Sequence, residues 1–261
     1  MRKFPILGIV FVLFAAACVA LVFSFTRWHL VEPPLSLNKP DFSQFEDAVA
    51  RKQAFFEFMA PMLQDQNLRI LKVRARLQEI EQEFNTTNTL SRRSQHYVRV
   101  LERDYLLTEE ELDTEALLHR LLRRVDIVPV PLALAQAASE SGWGTSRFAQ
   151  TANNFFGQWC YVKGCGIVPS KRPPGAIHEV ADFDSVRDSI TSYFYNLNTY
   201  YAYEDFREQR ERVRASGNYP RTADLIPTLL NYSERRDAYL EDLRLIIRSN
   251  KLSRFALTDQ S

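Results

Sequence analysis

Residues 131–144, Pro-Leu-Ala-Leu-Ala-Gln-Ala-Ala-Ser-Glu-Ser-Gly-Trp-Gly, set the strongest limit on how this chain folds. Pro131 fits the first turn of a helix, where its missing N–H costs nothing. Ala133, Ala135, Ala137 and Ala138 give that helix a surface of small side chains, so neighbours can approach closely. Such a helix belongs at the centre of the fold. Gly142 then ends it, which leaves the carboxyl of Glu140 in its last turn. There the partial negative charge of the free carbonyls disfavours an ionised carboxylate, and Trp143 is placed to wall the group from water, which acts in the same direction. A carboxyl held protonated near neutral pH is a general acid. The bland alternative is a surface Glu at an ordinary glycine-capped helix end.

The rest of the chain reads as mainly helical. Only 8 of 261 residues are Gly, and 46% are hydrophobic, enough to build a packed core. The formal net charge of +1 gives no basic excess of the kind nucleic-acid binding requires.

Met1-Arg2-Lys3 precedes an apolar run from Phe4 to Phe25. Its length suits a membrane span, and the two cations would stay inside. The expectation is a transmembrane signal anchor over 1–27, single-pass in an inner membrane, with the remaining chain in the periplasm. Cleavage after Ala15-Ala16-Ala17 and lipidation at Cys18 are the alternatives; each of the three exports the rest. Pro33, Pro34 and Pro40 make 28–41 a stiff linker. A helical extension is expected over 42–110. Pro61 should break or kink it, and Ile70, Val73, Leu77, Ile80 and Phe84 form a helical seam. Asn85–Thr89 is a polar break, and Thr108-Glu109-Glu110-Glu111 resembles a capped start of the next helix.

After Gly157 the pattern turns strand-like. Residues 158–168 read as a β-hairpin around a Gly-containing turn. In an exported chain, Cys160 and Cys165 point to a disulfide across that turn; free or metal-binding thiols are the alternative. Residues 176–183 suggest another strand, and Ser185 begins a helix carrying Val186, Ile190, Tyr193, Phe194 and Leu197 on one face. Two further helices are expected, near 222–230 and 233–247, before a tail at 251–261. Sugar rings present apolar faces on which aromatic side chains stack, which makes Trp143, Trp159 and Tyr161 candidate glycan contacts beside their ordinary packing roles.

The stretch 135–144, followed by Asn153-Asn154-Phe155-Phe156-Gly157, resembles the signature of the glucosaminidase family of peptidoglycan hydrolases. Phe183-Asp184-Ser185, Tyr200-Tyr201-Ala202, Leu229-Leu230-Asn231-Tyr232 and Tyr239 match in kind and order. The run at 50–56 is similar to the Bax-type branch of that family. The likeness covers roughly 112–248, within a catalytic domain drawn at 111–250. It implies a lysozyme-like, mainly α (α+β) fold with a small β-lobe. It further implies cleavage of the β-1,4 bond after N-acetylglucosamine in the peptidoglycan glycan strand, without metal or other cofactor. On this resemblance Glu140 is the catalytic acid, Glu179 the second carboxylate (with Asp182 and Asp184 as alternatives) and Tyr232 a catalytic-site tyrosine. Trp143, Asn153, Asn154, Phe156, Trp159 and Tyr201 are the substrate-binding candidates. A lytic transglycosylase of the same fold and a non-catalytic wall-binding module are the rival readings.

Overall fold

The structure is a computed structural model that describes residues 38–257 apart from 109, 171, 173 and 174. The expected anchor with Cys18, most of the linker and the end of the tail lie outside the described residues. Among those described, no helix is long and apolar enough to cross a membrane.

The extension opens with α1, Ala48–Thr87. Both carboxylate oxygens of Asp47 cap it, accepting from the N–H groups of Val49 (3.3 Å) and Ala50 (2.9 Å). Asn88 ends it in a left-handed conformation. Pro61 does not break this helix, contrary to the expectation. An interior proline costs about 3 kcal/mol, but Phe58, Met59, Ala60, Met62 and Leu63 around it are all buried. Their packing offsets the lost hydrogen bond. Two shorter helices follow, α2 (Arg92–Asp104) and α3 (Thr114–Arg124). The latter starts later than expected: Asp113, not Thr108, is the cap, accepting from Ala116 N–H at 2.9 Å.

Helix α4, Val130–Ser141, is the small-residue helix, and ten of its twelve residues are buried. Helix α1 packs along it and positions its start: the side-chain amide of Asn67 exchanges two hydrogen bonds with the backbone of Val128, at 2.8 and 3.0 Å. The short α5 (Arg147–Thr151) leads to the β-lobe. There the hairpin reading is corrected. Strands β1 (Trp159–Cys160) and β2 (Gly166–Ile167) do not pair with each other; both flank β3 (Glu179–Ala181) in antiparallel register, in the order β1-β3-β2. The intervening turn is folded against β3 instead: Glu179 accepts from the N–H groups of Gly164 and Gly166. A Cβ at 166 would lie 2.0 Å from the Val180 carbonyl oxygen, so glycine is required for this pairing.

Helices α6 (Val186–Thr199), α7 (Glu204–Ala215), α8 (Thr222–Leu225) and α9 (Asp237–Ser249) complete the body. Helix α7 had no counterpart in the sequence reading. Its buried side chains are Phe206, Arg207 and Arg210, so it carries almost no apolar stripe. Arg210 is fully buried and donates to Ile127 O and Asn198 Oδ1, both at 2.8 Å. It also lies against Asp126, which pairs with Arg214 at 2.8 Å and with Arg74 of the extension at 3.5 Å. Burial alone would raise the Asp126 pKa; Arg210, Arg74 and Arg214 hold it below the usual range. Extension and body thus share one hydrophobic core and one buried charge cluster.

Candidate active site

Glu140 lies in the last turn of α4, followed by three residues with positive φ: Gly142 (56°), Trp143 (60°) and Gly144 (77°). This reversal is fixed from within. The Ser141 hydroxyl donates to Ala137 O at 2.6 Å and accepts from Gly144 N–H at 2.8 Å. It is fixed from outside by the extension, since a Cβ at position 144 would sit 2.3 Å from the Phe42 ring.

The carboxyl of Glu140 is largely buried, and burial pushes its pKa above the usual range. Two groups act the other way, a hydrogen bond from Tyr239 and the charge of Arg235. Gly157 packs against it so closely that a Cβ there would lie 3.2 Å from Glu140 Oε2. One turn earlier on α4, the buried Gln136 accepts from the Tyr193 hydroxyl at 2.7 Å and donates to the Tyr239 hydroxyl at 3.2 Å. With a lone pair of Tyr239 taken by that amide, its single hydrogen is left available to Glu140.

Aromatic rings close the surroundings. Phe156 stacks on Tyr193 at 4.0 Å, Tyr232 lies parallel to Tyr239 at 5.7 Å, and Tyr203 lies 5.9 Å from Tyr232. The Tyr232 hydroxyl donates to Phe156 O at 3.3 Å, tying the loop before α9 to the Asn-Asn-Phe-Phe-Gly turn. Burial raises the phenol pKa of Tyr203 to about 12 and moves Tyr193, Tyr232 and Tyr239 in the same direction, so these hydroxyls act as neutral hydrogen-bonding groups.

Not every expected site residue is placed here. Trp143 packs against α1, edge-on to Phe55 and Phe56 with Lys52 Nζ 4.6 Å over the ring, so its indole braces the extension. Gly157 and Tyr239 are groups that lie against the Glu140 carboxyl. Asn153 and Asn154 are fastened to the protein itself. Asn153 donates to Phe183 O at 2.8 Å and accepts from Lys39 Nζ at 2.8 Å. Asn154 is buried and donates to Gln158 O and Ala181 O, both at 2.9 Å. They shape the corner by anchoring the β-lobe to it. Lys39, absent from the sequence reading, also donates to Ala149 O and Gln150 O at the end of α5.

Glu179 is buried, with backbone amides on its carboxylate; the Gly164 N–H is the main cause that holds its pKa below the usual range. Cys160 and Cys165 are joined by a disulfide beside it. Ligand atoms of these three residues lie within 4.8 Å of one another, but sulfurs bonded to each other offer no thiolate to a metal. Trp159 and Tyr201 are the exposed candidates, at 55% and 77%, and both line one cleft of about 610 Å³, which Gln158 also lines. A separate apolar cavity of about 390 Å³ lies by Pro129 and Pro131, at the opposite end of α4 from Glu140.

Residues 116–252, slightly more than half the chain, match the family described as Glucosaminidase: mannosyl-glycoprotein endo-beta-N-acetylglucosaminidase. The chain belongs to this glucosaminidase family. Glu140, Gln136 and the tyrosines around them all fall inside the matched stretch. The chain is also similar to Protein bax of Escherichia coli (strain K12), with 29% identity over 216 residues, 83% of this chain and 76% of that protein. This likeness includes more of the chain than the family match does. No solved structure matches the chain. Membership agrees with the mainly helical, lysozyme-like body and small β-lobe described above, and makes this glucosaminidase a glycosidase-type enzyme.

Proposed function

We propose that this glucosaminidase hydrolyses the β-1,4 bond after N-acetylglucosamine in peptidoglycan strands, with Glu140 as general acid. The observation that carries the reading is the environment of Glu140: a largely buried carboxyl whose pKa burial raises, with the Tyr239 hydroxyl as its hydrogen-bonding neighbour. In the reaction the Glu140 proton passes to the glycosidic oxygen as the C1–O bond breaks. The carboxylate that remains keeps its hydrogen bond from Tyr239, which limits the cost of leaving a charge in a half-dry site. Glu140 then takes a proton back from the incoming water.

Glu179 fits an anchoring role better than a nucleophilic one, because its oxygens are taken by the backbone of the turn. The reading therefore needs one acid from the chain, with the substrate's own N-acetyl oxygen supporting C1 from the opposite face. The lytic transglycosylase alternative also uses a single acid, and the occupied state of Glu179 favours it equally. In that reaction the sugar's own hydroxyl closes onto C1 in place of water. Periplasmic exposure and anchoring through residues 1–27 fit a cell-wall substrate and remain part of the proposal.

The direct test is release of soluble fragments from purified sacculi by the full-length chain and by Glu140→Gln. Loss of a general acid lowers the rate about 10²- to 10⁴-fold. Equal release by both proteins would remove Glu140 from the mechanism. No release by the unsubstituted chain would favour a wall-binding module.

A further inference from the structure

We infer that the N-terminal extension completes the glycan site, with Leu106 forming the far wall of a subsite for an additional N-acetylhexosamine of the strand. The inference rests on the hydrolase reading given above, and on the cleft lined by Gln158, the residue that follows Gly157 in the chain. This cleft is lined by Trp159 of the β-lobe, by Tyr201, and by Ser192 and Asn196 of α6. The same cleft is lined by Tyr195 and by Leu106, which lies between α2 and α3 and belongs to the extension.

Leu106 is displayed, not left over from packing. It is 57% exposed while its neighbour Leu107 is completely buried. Its φ is 56°, a left-handed conformation that a bulky L-residue avoids. The surroundings hold it there. Arg124, itself more than nine-tenths buried, donates through Nη1 to Tyr105 O at 2.5 Å and Leu106 O at 3.0 Å, and through Nη2 to Glu110 at 3.1 Å. The Leu107 N–H donates to Glu102 O at 2.8 Å. A backbone conformation this unfavourable persists only where several contacts over-determine it, and such positions cluster at ligand sites.

The walls match an amino sugar better than a peptide or a lipid. Trp159 offers one indole face, its other face being stacked on His178 at 4.2 Å and 16°, so the ring is oriented in advance. A pyranose stacks on such a ring and turns its hydroxyls toward a polar floor such as Ser192 and Asn196. An N-acetyl methyl group is of the size and polarity that Leu106 and Tyr195 would cover. The half-polar lining argues against a lipid chain, and the pairing of Arg124 with Glu110 leaves little net charge for an acidic peptide.

The test is calorimetric titration of full-length Glu140→Gln in detergent with peptide-free N-acetylglucosamine–N-acetylmuramic acid oligomers of increasing length. Binding should tighten with length until the added sugar reaches the extension. Leu106→Gly, which the left-handed backbone favours, should lower affinity for the longer oligomers about tenfold and leave the shortest unchanged. Its melting temperature should equal or exceed that of the parent. Tyr195→Ala, on a different element, should give the same length-selective loss. An unchanged length profile in both variants, or no length dependence in the parent, would overturn the inference. So would a loss that shows only when the titration is repeated with oligomers carrying stem peptides, which would assign the wall to the peptide. These are binding measurements, so failure of Glu140 as the acid would be read separately from sacculus hydrolysis by the unsubstituted chain.

Discussion

Gln136 donates to the hydroxyl of Tyr239 at 3.2 Å, and this contact leaves the hydroxyl hydrogen available to Glu140. The amide is itself oriented by Tyr193, whose hydroxyl donates to its other end at 2.7 Å. The three side chains come from α4, α6 and α9, so this network ties three helices together beside Glu140. Removing the donor should therefore make Glu140 a weaker acid. In Tyr239→Phe the hydrogen bond that opposes burial is lost and the carboxyl pKa rises further. The alkaline limb of the activity profile, where Glu140 loses its proton, should move to higher pH, with a lower plateau. Gln136→Leu should shift the limb in the same direction, since Tyr239 loses its orienting partner. A profile that falls in height without moving would mean that the network only supports the fold.

Gly157→Ala should disable the site more than it unfolds the protein. The left-handed backbone at 157 adds about 1–2 kcal/mol of strain, and the new methyl meets the Glu140 carboxyl. Misplacing a catalytic group by about 1 Å can lower the rate about 10²-fold. Gly164→Ala is the matched control: it too has a positive φ, and its Cβ meets nothing within 4 Å. Melting temperatures and sacculus hydrolysis of the pair separate strain from displacement.

Glu140→Gln should stabilise the fold in a pH-dependent way. The folded-state pKa of Glu140 is raised, so its contribution to stability is fully present below the ordinary glutamate pKa and is lost as pH rises through the raised value. The melting temperature of the variant should match that of the parent at low pH and exceed it increasingly across that window. Thermal unfolding at a series of pH values checks the sign; a gap that shrinks with rising pH would contradict it.

Asp126→Asn should be strongly destabilising, by about 3–5 kcal/mol, because it leaves Arg210 and Arg74 buried without their counter-charge. Both extension and body should lose cooperative unfolding together, since Arg74 belongs to one and Arg210 to the other. Denaturant melts followed by far-UV circular dichroism measure this. The depressed Asp126 pKa gives the opposite pH dependence from Glu140: its stabilisation is present above the ordinary aspartate pKa and fades as pH falls through the lowered one.

Much of the site can be read in the sequence because its geometry is local. The Ala-rich run, Gly142 and the Asn-Asn-Phe-Phe-Gly turn put Glu140 at a helix end whatever surrounds it. What surrounds it is long-range and harder to read. Gln136 looks like any helical glutamine until Tyr193 and Tyr239 are brought to it from distant helices. Trp143 looks like a lid for Glu140 until its positive φ turns the indole toward α1. Helix α7 escapes pattern reading because arginines occupy its buried face, and those arginines are accommodated there by carbonyls of other segments, by Asp126 and by Glu204 of the helix itself. The supposed hairpin fails for a similar reason: a strand that pairs with both of its arms arrives later in the chain.

The central claim is hydrolysis that leaves N-acetylglucosamine at the new reducing end. Its most direct test is mass spectrometry of borohydride-reduced fragments released from purified sacculi by the full-length chain. The account predicts fragments ending in reduced N-acetylglucosamine, and their disappearance with Glu140→Gln. Fragments ending in anhydro-muramic acid, or in reduced muramic acid, would contradict it.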